Sequence, residues 1–346
     1  MIISSYQLLC PLLSLSRCSN NFIRNGCRSL SMSSSAVKSR NFIDTRKLSV
    51  AVCQVSVSAD KLHNIDHVKE VISTACLSKV DVVVLPEIWN SPYATTSFPI
   101  NAEILPSVGH LPNIIDSPSA SMLCEQAKKF GVYIVGGSIP EKESVAITGI
   151  ENIYNTCLVI NPNGEIVGKH RKMHLFDINV PGKIAFKESD SLTAGDEACI
   201  VDTPWGFMGV GICYDIRFPE LAMIMRTRGC RMLFYPGAFN MVTGPAHWEL
   251  LQRARAVDNQ LFVIACSPAR ISASESSSNP KAYVAWGHSS VVSPWGDIVA
   301  CAATEEETIF AELDFEIVDT MRANIPCWMQ KRNDVYEVIE KQKPKL

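Results

Sequence analysis

The chain alternates short apolar runs with longer stretches whose apolar residues recur at helical spacing. Residues 48–55 read as a first strand. Over residues 64–78, Ile65, Val68, Val71, Ile72, Ala75 and Cys76 form a stripe at helical period. Residues 80–87 are almost continuously apolar up to Pro86 and Glu87, which predicts a strand buried on both faces. The order then recurs. A helix is expected over 119–130, closed by Gly131, then a strand over 132–138. A hairpin joins 155–160 to 166–169 through Asn161-Pro-Asn-Gly164. A second series starts with a strand over 207–212 and a helix over 217–228, where Leu221, Ile224 and Met225 are spaced for one face and Gly229 stops the run. It continues with a strand over 231–235, a helix over 247–259, a strand over 261–266 and a hairpin joining 289–293 to 297–300. A short helix and a charged arm follow Phe315. About ten strands and four core helices in two similar halves predict an α/β fold. An α-β-β-α four-layer sandwich, with two mixed sheets face to face and helices outside, accommodates them. Residues 107–117, 142–151 and 270–281 are expected to be surface loops.

Residues 1–46 stand outside this pattern. They hold Arg17, Arg24, Arg28, Lys38, Arg40 and Arg46 against Asp44 alone, with many serines. Such a composition predicts a mitochondrial transit peptide ahead of a folded domain over 47–346. A secretory signal is the rival reading, since residues 8–13 are largely apolar. However, no basic residue precedes them and Pro11 interrupts them. Met32 offers an internal start that would give a cytoplasmic form. No apolar run reaches the roughly 18 residues a membrane span needs.

The 346 residues are 47% hydrophobic and 19% charged, with length enough for a large core. A net charge of −3 gives no reason to expect nucleic acid or a membrane as a partner. The thirteen cysteines include no C-x-x-C pair and no zinc-type Cys/His spacing, and several, such as Cys53, Cys157 and Cys266, sit inside apolar runs. They read as reduced core residues in a reducing compartment, with neither a metal site nor a disulfide framework.

Candidate chemistry lies at strand ends. Cys213 falls at a strand-to-helix corner, where the N–H groups of the next helix can lower a thiol pKa and stabilise an oxyanion, and Gly211 leaves room for close approach. The alternative is a buried cysteine used as a small hydrophobe. Glu87 ends an apolar strand, and Lys172 follows a hairpin strand. Open α/β sheets place their ligands at such carboxyl ends. A solvated loop carboxylate and a solvated basic run remain the other readings of Glu87 and Lys172.

The segments Leu85-Pro-Glu87, His170-Arg-Lys172 and Gly211-Ile-Cys-Tyr-Asp-Ile-Arg-Phe-Pro-Glu220 together resemble the catalytic signatures of the nitrilase superfamily of carbon-nitrogen hydrolases. Matching runs, among them residues 136–141, 235–240, 243–249 and 283–288, extend the resemblance over nearly the whole chain after Lys47. The resemblance implies the α-β-β-α sandwich, a Glu-Lys-Cys triad, no metal or organic cofactor, and a homodimer. By the same carry-over Glu87 is the general base, Lys172 the oxyanion cation and Cys213 the nucleophile, and Glu188 orients the lysine. Asp215 and Arg217 are expected to hold the corner as a charge pair, and His170, where a tyrosine is usual, is expected to be silent. Lys172 is expected to favour thiolate character at Cys213, and the N–H of Tyr214 to share the oxyanion. The implied reaction is hydrolysis of the side-chain amide of short dicarboxylic acid monoamides, such as 2-oxoglutaramate, 2-oxosuccinamate and succinamate, through a thioester. Amidases acting on deaminated glutathione or a carbamoyl compound are the alternative, and retention of all three residues argues against a non-catalytic interaction partner. A substrate carboxylate would need donors. The loop over 235–244, with Phe239 and Thr243, is expected to supply them, and Tyr93 is expected to form a pocket wall.

Overall fold

Alternating small and β-branched residues decide which faces of the first sheet are covered. In β1 (Lys47–Gln54), Val50 and Val52 join the core between the sheets, whereas Ala51 and Cys53 join a core under the helices. β2 (Val82–Val84) repeats this, with Val82 and Val84 on one side and Val83 on the other. The structure, a computed structural model, describes residues 45–144, 151–271 and 283–341. The expected leader as far as residue 44, and parts of the loops expected at 142–151 and 270–281, lie outside the described residues.

The first sheet runs β15 (Glu307–Asp314), β1, β2, β3 (Tyr133–Val135) and β5 (Glu151–Ile160), with β4 (Ile139–Ser144) and β6 (Ile166–Arg171) both paired to the long β5. The second runs β14 (Ile298–Cys301), β13 (Ser290–Val292), β12 (Phe262–Cys266), β11 (Cys230–Pro236), β10 (Phe207–Val210) and β9 (Cys199–Val201). Leaving β4 aside, both sheets have the same directions. Three parallel strands (β1-β2-β3 and β10-β11-β12) are flanked by one antiparallel strand on one side and two on the other. The two halves expected from the sequence are therefore one arrangement built twice.

α1 (Lys61–Ala75) is opened by Asp60, whose carboxylate accepts from the N–H groups of Leu62 and His63. A single turn, α2 (Phe98–Asn101), precedes α3 (Pro118–Phe130), which ends at Gly131 with φ 67°. Val68, Ile72, Leu123 and Ala127 of α1 and α3 cover the outer face of the first sheet. α4 (Pro219–Thr227) and α5 (Gly244–Asn259) place Leu221, Met225, Trp248 and Ala256 against the second. α6 (Phe315–Asn324) closes the fold. The four layers expected from the sequence are present.

The differences have physical reasons. Among the described residues there are fifteen strands, against the ten or so expected. β15 is half-exposed and charged, with Glu307 on the face of Ile309 and Leu313 and with Glu312 and Asp314 on the other, yet it pairs along the whole of β1. β7 (Asp177–Val180) and β8 (Ile184–Lys187) form a separate, largely exposed hairpin of four residues a side. The strand expected over 80–87 is regular only through Val84, because Pro86 has no N–H for a ladder. The helix expected over 217–228 divides into a 3-10 turn, Cys213–Arg217, and α4, with Pro219 in the first turn of the latter.

Candidate active site

Glu87 leaves β2 on a constrained turn. Ile88, a β-branched residue, has φ 49°, a conformation retained only where its surroundings insist on it. Ser138 supplies that insistence: its hydroxyl accepts from the N–H of Ile88 at 3.0 Å and its carbonyl from that of Trp89 at 3.3 Å. Gly137 must be glycine here, since a Cβ would lie 2.2 Å from the Pro86 carbonyl oxygen and φ is 63°. The Glu87 carboxylate is thereby aimed inward and fully buried. Its Oε1 accepts from Asn155 Nδ2 and Lys172 Nζ, both at 2.9 Å, and from the Tyr93 hydroxyl at 3.3 Å. Its Oε2 accepts from the Ala238 N–H at 2.8 Å.

Lys172 follows β6 and is anchored on both sides of its own peptide, with its N–H on the Asn155 carbonyl and its carbonyl on the Gly195 N–H, each at 2.8 Å. Its ammonium lies 2.9 Å from Glu87 and 2.9 Å from Glu188, and no part of the side chain is exposed. Glu188 holds its own place through the Phe176 N–H at 2.6 Å and the Tyr93 hydroxyl at 2.5 Å.

Cys213 opens the 3-10 turn with φ 47°, a left-handed conformation that a non-glycine residue adopts only under constraint. Asp215 provides the constraint. Its buried carboxylate accepts from the Ile212 N–H at 2.9 Å, the His174 N–H at 3.0 Å, His174 Nδ1 at 2.7 Å and His170 Nε2 at 2.9 Å. Although burial opposes its charge, these donors hold Asp215 well below the usual carboxylate range. The expected charge pair between Asp215 and Arg217 is thus replaced by an aspartate held between two histidines. His170, in β6, and His174, in the segment after it, both reach Asp215, whereas the Arg217 guanidinium lies over the rings of Phe239 and Tyr214. His170, expected to be silent, is completely buried in this contact.

Burial pushes Glu87 upward against the opposing charge of Lys172. For Lys172, burial alone would lower the pKa, but Glu188 and Glu87 together carry it well above the usual value, so the ammonium is charged. Burial and then the negative charge of Glu87 push the Cys213 thiol well up, with Lys172 opposing them. This reverses the thiolate expected from the sequence, because Lys172 is already neutralised by two carboxylates. The resting residue is a thiol beside the Glu87 carboxylate.

Tyr93 bridges Glu87 and Glu188, and its ring meets Tyr283 at 4.5 Å and Phe186 at 5.7 Å. Tyr214 packs edge-on against Phe176 at 5.3 Å and Phe218 at 5.6 Å. Phe239 is buried against Trp248 at 5.0 Å. Thr243 lies at the N-terminus of α5 with its hydroxyl 3.3 Å from Asn240 Oδ1, a contact internal to the loop. The structure brings Glu87, Lys172, Glu188, Tyr93 and Cys213 together and leaves Thr243 bonded to its own loop.

Four groups stand in the site in roles that the sequence does not predict: Asn155, Tyr283, the Ala238 N–H, which meets Glu87 although its loop was expected to face the substrate, and Arg217, expected only as a partner of Asp215. Asn155 reads as the first residue of a strand, and a backbone N–H carries no sequence signal. Arg217 stands four residues after Cys213, spacing that one short turn could have suggested. Its guanidinium lies 4.7 Å from the Phe239 ring centre and 5.4 Å from that of Tyr214, and Nη1 is 3.2 Å from His247 Nδ1. Its Nε is buried without a hydrogen-bond partner. An unmatched donor of this kind beside a polar site suits an anion.

Residues 49–323 match the carbon-nitrogen hydrolase family. The chain is 50% identical over 297 residues to the chloroplastic omega-amidase of Arabidopsis thaliana, spanning 86% of this chain and 76% of that protein. It is 46% identical over 295 residues to the human omega-amidase NIT2, spanning 85% and 98%. Among solved structures, a Saccharomyces cerevisiae protein of branch 10 of the nitrilase superfamily is similar with a TM-score of 0.72 and 42% identity, covering 83% of this chain and 97% of that one.

Proposed function

Since the chain belongs to the carbon-nitrogen hydrolase family of the nitrilase superfamily, we propose that it is an omega-amidase, hydrolysing the side-chain amide of short dicarboxylic acid monoamides such as 2-oxoglutaramate, 2-oxosuccinamate and succinamate. One observation carries the reading: a buried thiol beside a buried carboxylate, with a buried lysine ammonium 2.9 Å from that carboxylate. The names of relatives 46–50% identical support the substrate class.

In this reading Cys213 is the nucleophile and Glu87 the general base. As sulfur attacks the amide carbon, the thiol proton passes to Glu87, whose upward-shifted carboxyl accepts it readily. The carbonyl oxygen becomes an oxyanion facing Lys172 and the Tyr214 N–H. Glu87 returns the proton to nitrogen, the C–N bond breaks and ammonia leaves a thioester. Water, deprotonated by Glu87, attacks the thioester carbon, and expulsion of sulfur with reprotonation restores the thiol. Glu188 keeps the lysine charged and oriented. The unpartnered Nε of Arg217 receives the distal carboxylate, with Phe239 behind it. No step in this account uses a metal or organic cofactor.

The test is ammonia release from a panel of amides. Wild type is expected to favour succinamate and 2-oxoglutaramate over neutral amides of equal length. Cys213→Ala should abolish turnover with native circular dichroism, and Arg217→Gln should raise KM for the charged amides while leaving the neutral ones unaffected. Equal kcat/KM for charged and neutral amides would remove the anion site. Preference for a carbamoyl compound would move the chain to another amidase activity.

The proposal extends to the whole chain. Residues 47–346 form the hydrolase, a span supported by the compact unit Ile43–Leu346, and residues 1–46 are a mitochondrial leader, with a cytoplasmic form starting at Met32. Import of the full chain into isolated mitochondria, set against chloroplasts and against translation from Met32, tests this. A homodimer fits the exposed Leu250 and Val257 of α5 and Trp295 beside it, and light scattering in solution tests it.

A further inference from the structure

The run from Tyr283 to His288 has no part in the chemistry described so far, yet it lies along the loop that follows β11. Ala285 bridges to Asn240, the Trp286 N–H donates to the Phe239 carbonyl at 2.6 Å, and the Tyr283 hydroxyl donates to the Ala238 carbonyl. Ala238 is therefore held at both ends, since its N–H donates to Glu87 Oε2. The residue before it is equally confined. The Gly237 N–H donates to the Cys266 carbonyl at 2.8 Å, and a Cβ on Gly237 would lie 3.2 Å from the Cys213 Cα. Residues 237 and 238 are thus wedged between the backbone of the thiol and the carboxylate that faces it.

We propose that Tyr283 is a positioning residue for amide hydrolysis: by fixing the Ala238 carbonyl, it aims the Ala238 N–H that holds Glu87 Oε2 toward Cys213. The inference rests on the proposed roles of Glu87 and Cys213. Its physical basis is the uneven support of the carboxylate. Oε1 is gripped by Asn155, Lys172 and Tyr93, whereas Oε2 depends on the single backbone donor of Ala238. If the Ala238 peptides are free to tilt, Oε2 loses its alignment and the carboxylate loses a donor that favours its charged form. The Tyr283 ring has a separate contact, 4.5 Å from Tyr93, that survives removal of the hydroxyl. Tyr283→Phe therefore separates positioning from packing.

The expected result for Tyr283→Phe is roughly a tenfold fall in kcat with KM within about twofold of wild type. The acid limb of the kcat/KM profile should move up by about half a pH unit, as expected when a carboxylate loses a hydrogen bond. Thermal stability should be close to that of wild type. Unchanged kcat and an unchanged acid limb would overturn the inference. So would a rise in KM alone, which would make Tyr283 a binding residue. A fall in activity that tracks a fall in melting temperature, with the pH profile unmoved, would reduce Tyr283 to packing. A second measurement needs no substrate: the pH dependence of Cys213 alkylation by iodoacetamide, followed on the Cys213 peptide by mass spectrometry. If wild type hydrolyses no omega-amide, the substrate reading fails while alkylation still decides the role of Tyr283. A displaced midpoint in Tyr283→Phe supports the role, and coincident midpoints overturn it.

Discussion

The carboxyl ends of β2 and β11 occupy equivalent places in the two sheets, since each strand is the middle one of three parallel strands. Glu87 follows the first, and Gly237 and Ala238 follow the second. The hairpins β5-β6 and β13-β14 are likewise equivalent, and Lys172 follows only the former. The first half therefore supplies the buried charges, Glu87, Lys172 and Glu188. The second half supplies the thiol, a backbone donor and the arginine whose Nε has no partner. The comparison teaches that an α/β sheet positions functional groups by strand end, while the chemistry at each end is free to diverge. It also shows that neither half is complete: the carboxylate from the first is aimed by an N–H from the second.

The largest effect is expected where charge is removed from the first half. Lys172→Met leaves Glu87 and Glu188 buried against each other, and should cost about 4 kcal/mol in urea unfolding as well as abolishing turnover. Adding Glu188→Gln should recover part of the stability and none of the activity. If Lys172→Met is as stable as wild type, the lysine does not neutralise the pair.

The two glycines that brace the two strand ends sharpen the contrast. Gly137→Ala places a Cβ 2.2 Å from a backbone oxygen at positive φ, whereas Gly237→Ala meets Trp248 and the Cys213 backbone at 3.1 to 3.2 Å. The expected costs are about 3 and about 1 kcal/mol respectively, because the first neighbour cannot yield and the second contact is only tight. Melting temperatures of the two variants decide the order. Equal losses would mean that the two turns are equally constrained.

Asp215→Asn tests the thiol's corner and should cost about 2 kcal/mol near neutral pH. The folded-state pKa of Asp215 lies below its unfolded value. Its contribution is therefore fully present above the unfolded pKa and is lost as pH falls through the folded one. The gap in stability between wild type and variant should accordingly shrink below about pH 4. A gap independent of pH would show that the Asp215 charge contributes nothing. The smallest effect belongs to Thr243→Val. Its hydroxyl is spent on Asn240, so KM for succinamate should change by less than about twofold. A larger rise would return Thr243 to the substrate.

Much of the molecule was legible before the fold was known. Apolar spacing located the parallel strands and the four packed helices, and the resemblance singled out Glu87, Lys172 and Cys213. Each of these stands immediately beyond a strand whose pattern is local. β15 was not legible, because its partner β1 lies at the far end of the chain and the exposed Phe310 blurs its alternation. Nor were the helix boundary after Cys213 and the aspartate-histidine cluster, which depend on a turn that only neighbouring strands enforce.

Hydrophobic period and residue type are properties of short stretches, and they were enough to place the layers and the strand ends at which Glu87, Lys172 and Cys213 stand. The upward push on the thiol, the pairing of Lys172 with two carboxylates and the donor on each oxygen of Glu87 arise only in the closed fold. The partners in those contacts are distant in the chain: Asn155 is 68 residues from Glu87, and Ala238 is 151. A carboxylate's charge depends on the water it has lost and the donors it has gained, and both are set by groups that meet only when the two sheets close on each other.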